Sequence, residues 1–296
     1  MTSAADDGDK TLSDHRFYHA DAEADFAEVG GADTPQTRHP AYRLAFRDQD
    51  FLLREELRPV RFQLELLKPE MLLDEARVGS TLVMYGSARI PTPEAAETML
   101  RGVGALDDEA RTVVEKLAGK AKYYAEAYNL ARMVSEKGIV EDGMRQFVIT
   151  SGGGPSIMEA ANRGASDAGA ESIGLNIVLP HEQAPNHYVT PYLSFRFHYF
   201  ALRKMHFLLR ARAVAVFPGG FGTFDEFFEL LTLIQTGKMK PIPILLFGKE
   251  FWSRVVNFKA LAEEGVISQK DLDLITWCET ADEAWAAIAG FYELEG

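Results

Sequence analysis

A nine-residue glycine turn, Pro218-Gly219-Gly220-Phe221-Gly222-Thr223-Phe224-Asp225-Glu226, constrains the fold of this chain more than any other segment. An apolar run at residues 213–217 precedes it and a helical pattern at 227–234 follows it, an order that predicts strand, turn and helix. Glycines let backbone N–H groups approach a ligand closely, and the N-terminus of the helix behind them favours an anion such as phosphate. The segment therefore predicts a βα unit with a phosphate-binding turn.

A simpler interpretation of the same residues is a helix cap. Thr223 and Glu226 fit a capping box, in which the hydroxyl and the carboxylate satisfy the first free N–H groups of a helix. The cap explains these two residues but requires no glycine at positions 219, 220 and 222. We therefore favour ligand binding at Gly219, Gly220, Gly222 and Thr223, with Glu226 suited to both roles.

Apolar runs alternate with helical patterns through the rest of the chain. Strands are predicted at residues 81–85, 147–150, 172–178, 213–217 and 242–247, and helices at about 108–137, 155–168 and 227–234, from 251 and from 281. Pro155 is expected to begin the second of these helices. Apolar strands that alternate with helices indicate a parallel sheet covered on both faces. The predicted fold class is α/β, a Rossmann-like doubly wound parallel sheet with an N-terminal helical extension.

The N-terminal part of the chain differs in composition. Residues 1–38 are rich in Ala, Asp, Glu, Gly and Thr and poor in large aliphatic side chains, which predicts a flexible acidic tail. Residues 39–76 carry an amphipathic helical pattern that Pro59 and Pro69 are expected to break into short helices. We expect this extension to pack on the main domain, residues 77–296, or on a partner chain.

Composition limits the classes of function. The 296 residues carry a formal net charge of −13, whereas a general nucleic-acid binder presents a basic face. Cys278 is the single cysteine, so neither an intrachain disulfide nor a cysteine-based zinc site is expected. No stretch approaches the ~20 apolar residues that span a bilayer, and residues 1–10 show no signal-peptide pattern, so a cytoplasmic location is expected.

A second glycine turn, Ser151-Gly152-Gly153-Gly154, follows the strand predicted at 147–150. Ligands of open parallel sheets bind at the carboxyl ends of the strands, so we expect the two turns to converge on one nucleotide, with Ser87 adding a hydroxyl. The third glycine of the dinucleotide fingerprint is replaced by Ile157 in one turn and by Asp225 in the other, and no P-loop motif is present. A dehydrogenase and a P-loop ATPase are both disfavoured.

Acidic residues are absent from positions 183–224, although the chain contains 44 of them. The basic residues of this gap are Arg196, Arg203, Lys204, Arg210 and Arg212, a positive segment that suits a small anionic ligand. Arg210 and Arg212 are more simply explained by pairing with acids elsewhere or by surface exposure. Arg203 stands in an apolar stretch where an unpaired guanidinium is costly to bury, so we expect an anion or Glu226 beside it.

Together these motifs resemble the LOG ("lonely guy") family of phosphoribohydrolases, long described as lysine decarboxylases. The resemblance covers about residues 80–290. It rests on Pro-Gly-Gly-x-Gly-Thr-x-x-Glu at 218–226, Arg203-Lys204, the triple-glycine turn before Pro155-Ser156-Ile157-Met158-Glu159, and Tyr85-Gly86-Ser87-Ala88-Arg89. Residues 61–70 and 174–183 resemble the longer bacterial branch of the family.

The resemblance implies a homodimer or higher oligomer that hydrolyses the N-glycosidic bond of a nucleoside 5′-monophosphate. The implied substrates are AMP or an N6-modified AMP such as a cytokinin nucleotide, and the products are free base and ribose 5-phosphate. The family's catalytic residues correspond to Arg203 and Glu226. Its substrate-binding residues correspond to Ser87, Gly153, Gly154, Met158, Glu159, Lys204, Gly219, Gly220, Gly222 and Thr223. The resemblance implies no metal, organic cofactor, membrane or nucleic-acid polymer as a partner.

The implied chemistry agrees with these residues, because cleavage of a ribosyl bond passes through an oxocarbenium-like state. Glu226 is suited to stabilise that cation and to activate water, and Arg203 to neutralise charge on the departing base or the phosphate. LOG proteins often carry Met-His-Glu where this chain has Phe200-Ala201-Leu202, so the base is not predicted. Two alternatives remain open: a non-catalytic carrier of a nucleotide or of molybdenum cofactor, and an interaction protein built on the N-terminal 75 residues.

Overall fold

The computed structural model describes Ala20, Ala24 and residues 32–180 and 184–294. The chain divides into two compact units, residues 1–61 and 62–296. Most of the predicted acidic tail, residues 1–38, lies outside the described residues. The predicted domain boundaries after residues 38 and 76 stay predictions.

The described part of the first unit consists of short helical segments. Its helices are α1 (Pro35–Arg38) and α2 (Gln49–Leu52), and single 3₁₀ turns lie at Pro40–Tyr42, Ala45–Arg47 and Glu55–Leu57. The side chains of Thr34 and Asp48 accept backbone N–H groups at the starts of α1 and α2. None of these five segments contains a buried residue, and a side chain caps three of them: α1, α2 and the turn at Pro40–Tyr42.

One long helix, α3 (Arg58–Glu75), replaces the short helices that two prolines predict. Pro59 lies in its first turn, where the missing N–H needs no replacement. Pro69 lies inside α3 and is buried, so the expectation that it ends a helix is wrong. Pro69 leaves the carbonyl oxygen of Glu65 without its helical donor, and His206 lies within hydrogen-bonding distance of that oxygen instead.

A seven-stranded parallel sheet is the centre of the second unit. Along the chain the strands are β1 (Thr81–Tyr85), β2 (Val140–Glu141), β3 (Met144–Arg145), β4 (Val148–Ser151), β5 (Ile173–Ile177), β6 (Ser194–Phe197), β7 (Ala211–Val216), β8 (Ile244–Phe247) and β9 (Ile275–Cys278). The sheet has the order β6-β5-β4-β1-β7-β8-β9, and β2 and β3 form a separate antiparallel hairpin. The five predicted strands are present, whereas the two edge strands of the sheet, β6 and β9, are not predicted from the sequence.

Helices connect these strands. They are α4 (Pro93–Arg101), α5 (Asp108–Ala118), α6 (Ala121–Lys137), α7 (Ile157–Asp167), α8 (Phe200–Leu209), α9 (Phe221–Gln235), α10 (Lys249–Val255), α11 (Phe258–Glu263) and α12 (Ala281–Tyr292), with 3₁₀ turns at Val103–Ala105, Pro191–Leu193 and Gln269–Leu274. The single helix predicted at 108–137 is wrong, because α5 ends before Gly119, a poor helix former, and the N–H of Lys120 bonds the carbonyl of Leu117 in a tighter turn.

Two apolar layers cover the sheet, one on each face. On β1, Leu82 and Met84 belong to the layer that includes α6, α7 and α12, whereas Val83 and Tyr85 belong to the layer that includes α8 and α9. This alternation follows from the two-residue period of a strand, and it explains why every residue of β1 is buried. The doubly wound α/β fold predicted from the sequence is therefore confirmed. In the part of the chain that the structure describes, no helix combines the length and apolarity that crossing a membrane requires.

Candidate active site

A cleft of about 610 Å³ lies at the carboxyl ends of the central strands. The chain runs outward from β1 to β4, β5 and β6, and then returns to β7 on the other side of β1. Connections that diverge in this way leave a crevice above the strands where the direction changes. The cleft is lined by Gly86, Ser87, Ala88, Arg89, Met158, Arg203, Gly220, Phe221, Gly222, Thr223, Phe224 and Glu226.

The glycine turn after β7 forms one wall of this cleft. α9 begins at Phe221 and Gly220 precedes it, so Thr223 lies within the first turn of the helix and makes no cap. The capping-box interpretation of Thr223 and Glu226 is therefore wrong, since both residues are already helical. Gly219 is required for a steric reason, because a Cβ atom there would lie 2.1 Å from Oγ1 of Thr223.

Arg203 and Glu226 meet in the cleft. Arg203 projects from α8 and Glu226 from α9, and Nη1 of the arginine lies 3.2 Å from Oε1 of the glutamate. The side chains are only 11% and 13% exposed. Nε of Arg203 donates to the carbonyl oxygen of Leu175 at 2.7 Å, and the guanidinium lies 5.0 Å from the centre of the Phe207 ring. These contacts hold the guanidinium in one orientation beside the carboxylate.

Burial changes the acidity of both groups. It raises the pKa of Glu226 from 4.5 to about 7, although the Arg203 guanidinium opposes the shift. Burial also lowers the pKa of Arg203, an effect that Glu226 opposes. Because arginine stays protonated in proteins, the pair is a guanidinium beside a carboxyl group that ionises near neutral pH. A carboxyl group with such a pKa is suited to general acid–base catalysis.

Lys204, the neighbour of Arg203, faces another set of residues. Its Nζ lies 3.0 Å from Oδ1 of Asp225 and 3.2 Å from Oε2 of Glu229. Burial lowers the pKa of Lys204, but the hydrogen bonds to Asp225 and Glu229 outweigh this and raise it overall. Lys204 does not line the cleft and instead ties α8 to α9, so the substrate contact expected for it stays a prediction.

The second glycine turn lies behind the cleft rather than in its wall. The carbonyl oxygens of Gly153 and Gly154 accept hydrogen bonds from the backbone N–H and the Nδ2 of Asn186, at 2.8 and 3.0 Å. A Cβ on Gly152 would lie 2.6 Å from Nη2 of Arg203, so this turn passes close behind the guanidinium. Of the expected contacts on this side, Met158 lines the cleft, whereas Glu159 accepts a hydrogen bond from the hydroxyl of Tyr124.

The helix after this turn starts later than expected. α7 begins at Ile157 rather than at Pro155, and Ser156 precedes it with a positive φ of 65°. The hydroxyl of Ser156 donates to the carbonyl oxygen of Ile90 at 2.6 Å, which connects this turn to the loop after β1. Pro155 therefore belongs to the turn and not to the helix.

The structure thus brings seven of the expected site residues into one cleft: Ser87, Met158, Arg203, Gly220, Gly222, Thr223 and Glu226. Gly153, Gly154, Glu159, Lys204 and Gly219 lie outside its lining. Arg89 and Phe221 also line the cleft, a position that is not predicted for either residue, and Phe221 is 97% exposed. The sequence does contain an indication for Arg89, because this residue follows Gly86-Ser87 at the end of β1, the edge of the sheet where ligands bind.

A metal site was not expected from the sequence. Among the residues that the structure describes, no group of three or more His, Cys, Asp or Glu side chains is placed to hold a metal ion.

Residues 158–288 match the family model described as "Possible lysine decarboxylase", the description that the LOG proteins carried. The matched range includes Met158, Arg203, Gly219 and Glu226, so the family resemblance predicted from the motifs is confirmed. A search of curated protein sequences finds no match to this chain.

Three solved structures are similar to this chain. The molybdenum cofactor binding protein from the phototrophic bacterium Rippkaea orientalis is 19% identical, with 58% of this chain and 88% of that chain covered and a TM-score of 0.41. The protein TM1055 is 18% identical, with coverages of 71% and 99% and a TM-score of 0.44. The Moco carrier protein from Chlamydomonas reinhardtii is 17% identical, with coverages of 72% and 98% and a TM-score of 0.42.

Proposed function

Because this chain carries a LOG-family domain over residues 158–288, we propose that it hydrolyses the N-glycosidic bond of a nucleoside 5′-monophosphate. The proposed products are the free base and ribose 5-phosphate. AMP and N6-modified AMP, including cytokinin nucleotides, are the proposed substrates. A homodimer or higher oligomer and a cytoplasmic location, where nucleotides are abundant, are part of the same proposal.

The buried pair of Arg203 and Glu226 is the observation that carries the proposal. An exposed carboxylate would be fully ionised and solvated at neutral pH, whereas burial gives Glu226 a pKa of about 7. Such a group can both accept and donate a proton in one reaction cycle, and hydrolysis of a glycosidic bond requires both transfers. A carrier that only holds a ligand has no need of a carboxyl group poised in this way.

In the proposed reaction the Glu226 carboxylate accepts a proton from water as the water oxygen bonds to C1′ of the ribose. The C1′–N bond breaks, and its electron pair goes to the departing base. The base then takes up the proton from Glu226, which restores the carboxylate. Positive charge develops on the ribose during this step, and the nearby Glu226 carboxylate stabilises it.

Arg203 orients this carboxylate through its 3.2 Å contact with Oε1. Its contacts with Leu175 and Glu226 use two of its five N–H groups, which leaves donors for the substrate. A bound base or phosphate that accepts one of these donors gains a partner whose orientation is already fixed. We therefore propose that Arg203 both positions Glu226 and neutralises negative charge on the substrate.

The test is release of free base from a panel of nucleoside 5′-monophosphates, followed by chromatography. We expect release from AMP or an N6-modified AMP, and its loss in Glu226→Gln, which keeps the shape of the side chain but accepts no proton. Asp225→Asn is the matched control, because Asp225 precedes Glu226 in α9 but is 56% exposed and pairs with Lys204. Nucleotide binding without release of base in the wild-type protein would overturn hydrolysis and favour the carrier alternative.

A further inference from the structure

Arg89 is a cation of the cleft whose guanidinium has no partner among the residues that the structure describes. It lies in the loop after β1, lines the cleft and is exposed. Within the described ranges 32–180 and 184–294, its guanidinium makes no hydrogen bond or ion pair. Because Arg89 lines the same cleft as Arg203 and Glu226 and has no partner among the described residues, its guanidinium is available to a ligand anion there.

The backbone that carries Arg89 is held on both sides. The N–H of Arg89 donates to Oγ of Ser87 at 3.0 Å. The next residue, Ile90, is buried, and its carbonyl oxygen accepts from the hydroxyl of Ser156 at 2.6 Å. Ser156 adopts a positive φ of 65°, a conformation that is unfavourable for a residue other than glycine and is maintained here by its surroundings. Arg89 therefore projects from a fixed point of the cleft rim.

The other basic side chains near the cleft are already engaged. Arg203 bonds Glu226 and the carbonyl of Leu175, and Lys204 pairs with Asp225 and Glu229. Glu226 adds negative charge to the cleft whenever it is ionised. Because the Glu226 carboxylate offsets the charge of Arg203, an anionic substrate gains from a second positive charge, which the lining residue Arg89 can provide.

We propose that Arg89 binds the 5′-phosphate of the substrate and so makes the protein select nucleotides over nucleosides. The inference rests on the proposed function and adds to it a residue that determines specificity. The planar guanidinium presents paired N–H groups whose spacing matches two oxygens of a phosphate. Gly220 and Gly222 line the same cleft, and an added Cβ at either would meet no atom within 4 Å, so their backbone leaves room for a phosphate.

The first experiment compares AMP with adenosine as substrates of three variants. Arg89→Ala is expected to raise KM for AMP by about 10-fold to 100-fold, the range for loss of a charged hydrogen bond, with the slow cleavage of adenosine unchanged. Arg89→Lys keeps the charge and is expected to recover part of the loss. Arg254→Ala is the matched control, because Arg254 is an exposed arginine that lines a different groove, beside Phe251. An unchanged KM for AMP in Arg89→Ala would overturn the proposal.

The second experiment measures binding without turnover, by titrating ribose 5-phosphate into each variant in a calorimeter. Binding by the wild-type protein that Arg89→Ala loses supports the role of Arg89, even if no base is released from any nucleotide. Failure to release base from any nucleotide would overturn only the proposed hydrolysis. Equal affinity in the wild type and in Arg89→Ala, or no binding by the wild type, would overturn the role of Arg89. Circular dichroism of each variant excludes unfolding as the cause of a loss.

Discussion

Nε2 of His206 lies 3.1 Å from the carbonyl oxygen of Glu65, the oxygen that Pro69 leaves without a donor inside α3. Burial lowers the pKa of His206, so the ring is neutral at physiological pH and carries its proton on Nε2 when it donates here. A side chain of α8 thereby replaces the hydrogen bond that proline removes from α3. The contact explains why α3 continues through Pro69 without ending.

Residues of α3 also bind the chain at both ends of α8. The Glu65 carboxylate accepts the N–H groups of His198 and Tyr199, at 2.8 and 3.2 Å, just before α8 begins. Beyond its end, Arg210 lies 2.9 Å from the carboxylate of Glu70 and 2.7 Å from that of Asp74. Arg203 lies between these anchored ends, so α3 holds in place the helix that carries the proposed catalytic arginine.

The hydrogen bond between His206 and Glu65 predicts a coupling with Pro69. His206→Phe is expected to destabilise the protein by about 1–3 kcal/mol, because it leaves the Glu65 carbonyl without a donor. Pro69→Ala restores the N–H of residue 69, and in that background the same His206→Phe change is expected to cost about 1 kcal/mol less. Denaturant unfolding of the four proteins measures the coupling. If His206→Phe lowers the free energy of unfolding equally in the two backgrounds, the hydrogen bond from His206 to Glu65 does not compensate for Pro69.

The Glu65 carboxylate predicts an effect on catalysis from outside the cleft. Glu65→Ala is expected to lower stability by about 1 kcal/mol, as loss of a helix cap does, and to reduce kcat for AMP. Glu65→Gln keeps an acceptor oxygen and is expected to retain most of the activity. Gln63→Ala, an exposed position of the same helix, serves as the control. Full activity of Glu65→Ala would mean that the anchoring of α8 has no influence on Arg203.

The glycine turn after β7 allows a comparison between two adjacent positions. Gly219→Ala places a Cβ 2.1 Å from Oγ1 of Thr223, so we expect a loss of stability of about 1–3 kcal/mol, typical of overpacking. At Gly220 an added Cβ meets no atom within 4 Å, so Gly220→Ala is expected to leave the stability unchanged and to raise KM by narrowing the cleft. Thermal unfolding and steady-state kinetics distinguish the two effects. A Gly220→Ala variant that is less stable than Gly219→Ala would contradict the geometry of the turn.

The sequence predicts the parallel sheet well, because β1, β7 and β8 contain the continuous apolar runs 82–85, 213–216 and 244–247, and glycine turns mark where β4 and β7 end. It does not predict β6, where exposed Arg196 alternates with buried phenylalanines in a short edge strand. It also places a helix end at Pro69, because local propensity contains no information about a distant donor such as His206. The strands are thus predicted from continuous apolar runs, whereas the continuation of α3 through Pro69 depends on a tertiary contact that the sequence does not show.

The candidate site is predicted in part. An unpaired guanidinium is costly to bury, so an anion or Glu226 is expected beside Arg203, and the structure places Glu226 at 3.2 Å. Lys204 carries the same charge as Arg203 and is adjacent to it, yet it turns toward Asp225 and Glu229. Successive side chains of a helix point about 100° apart, so Arg203 and Lys204 face different neighbours. Which of the two faces the cleft is seen only in the three-dimensional structure. That Arg89 has no partner within residues 32–180 and 184–294 is likewise visible only in the structure.

Glu226 predicts the pH dependence of activity and of stability together. As a base it must be ionised, so the rate of base release is expected to rise with pH through about 7, the pKa that burial gives it. The free energy of unfolding is expected to change in the opposite direction, falling as the pH rises. Below about 4.5 the carboxyl group is protonated in both the folded and the unfolded chain, whereas between 4.5 and 7 only the folded chain retains the proton. This contribution to stability is therefore lost as pH rises to about 7.

Glu226→Gln isolates this contribution, since glutamine does not ionise and the other titrating groups remain. The free energy of unfolding of the wild type, relative to Glu226→Gln, is expected to fall by up to about 3 kcal/mol from pH 4.5 to pH 8, because the pKa is raised from 4.5 to about 7. Denaturant unfolding of both proteins at several pH values measures the difference. A constant difference would mean that Glu226 titrates normally in the folded protein. An increase with pH would mean that its pKa is depressed, and the proposed exchange of a proton at neutral pH would then fail.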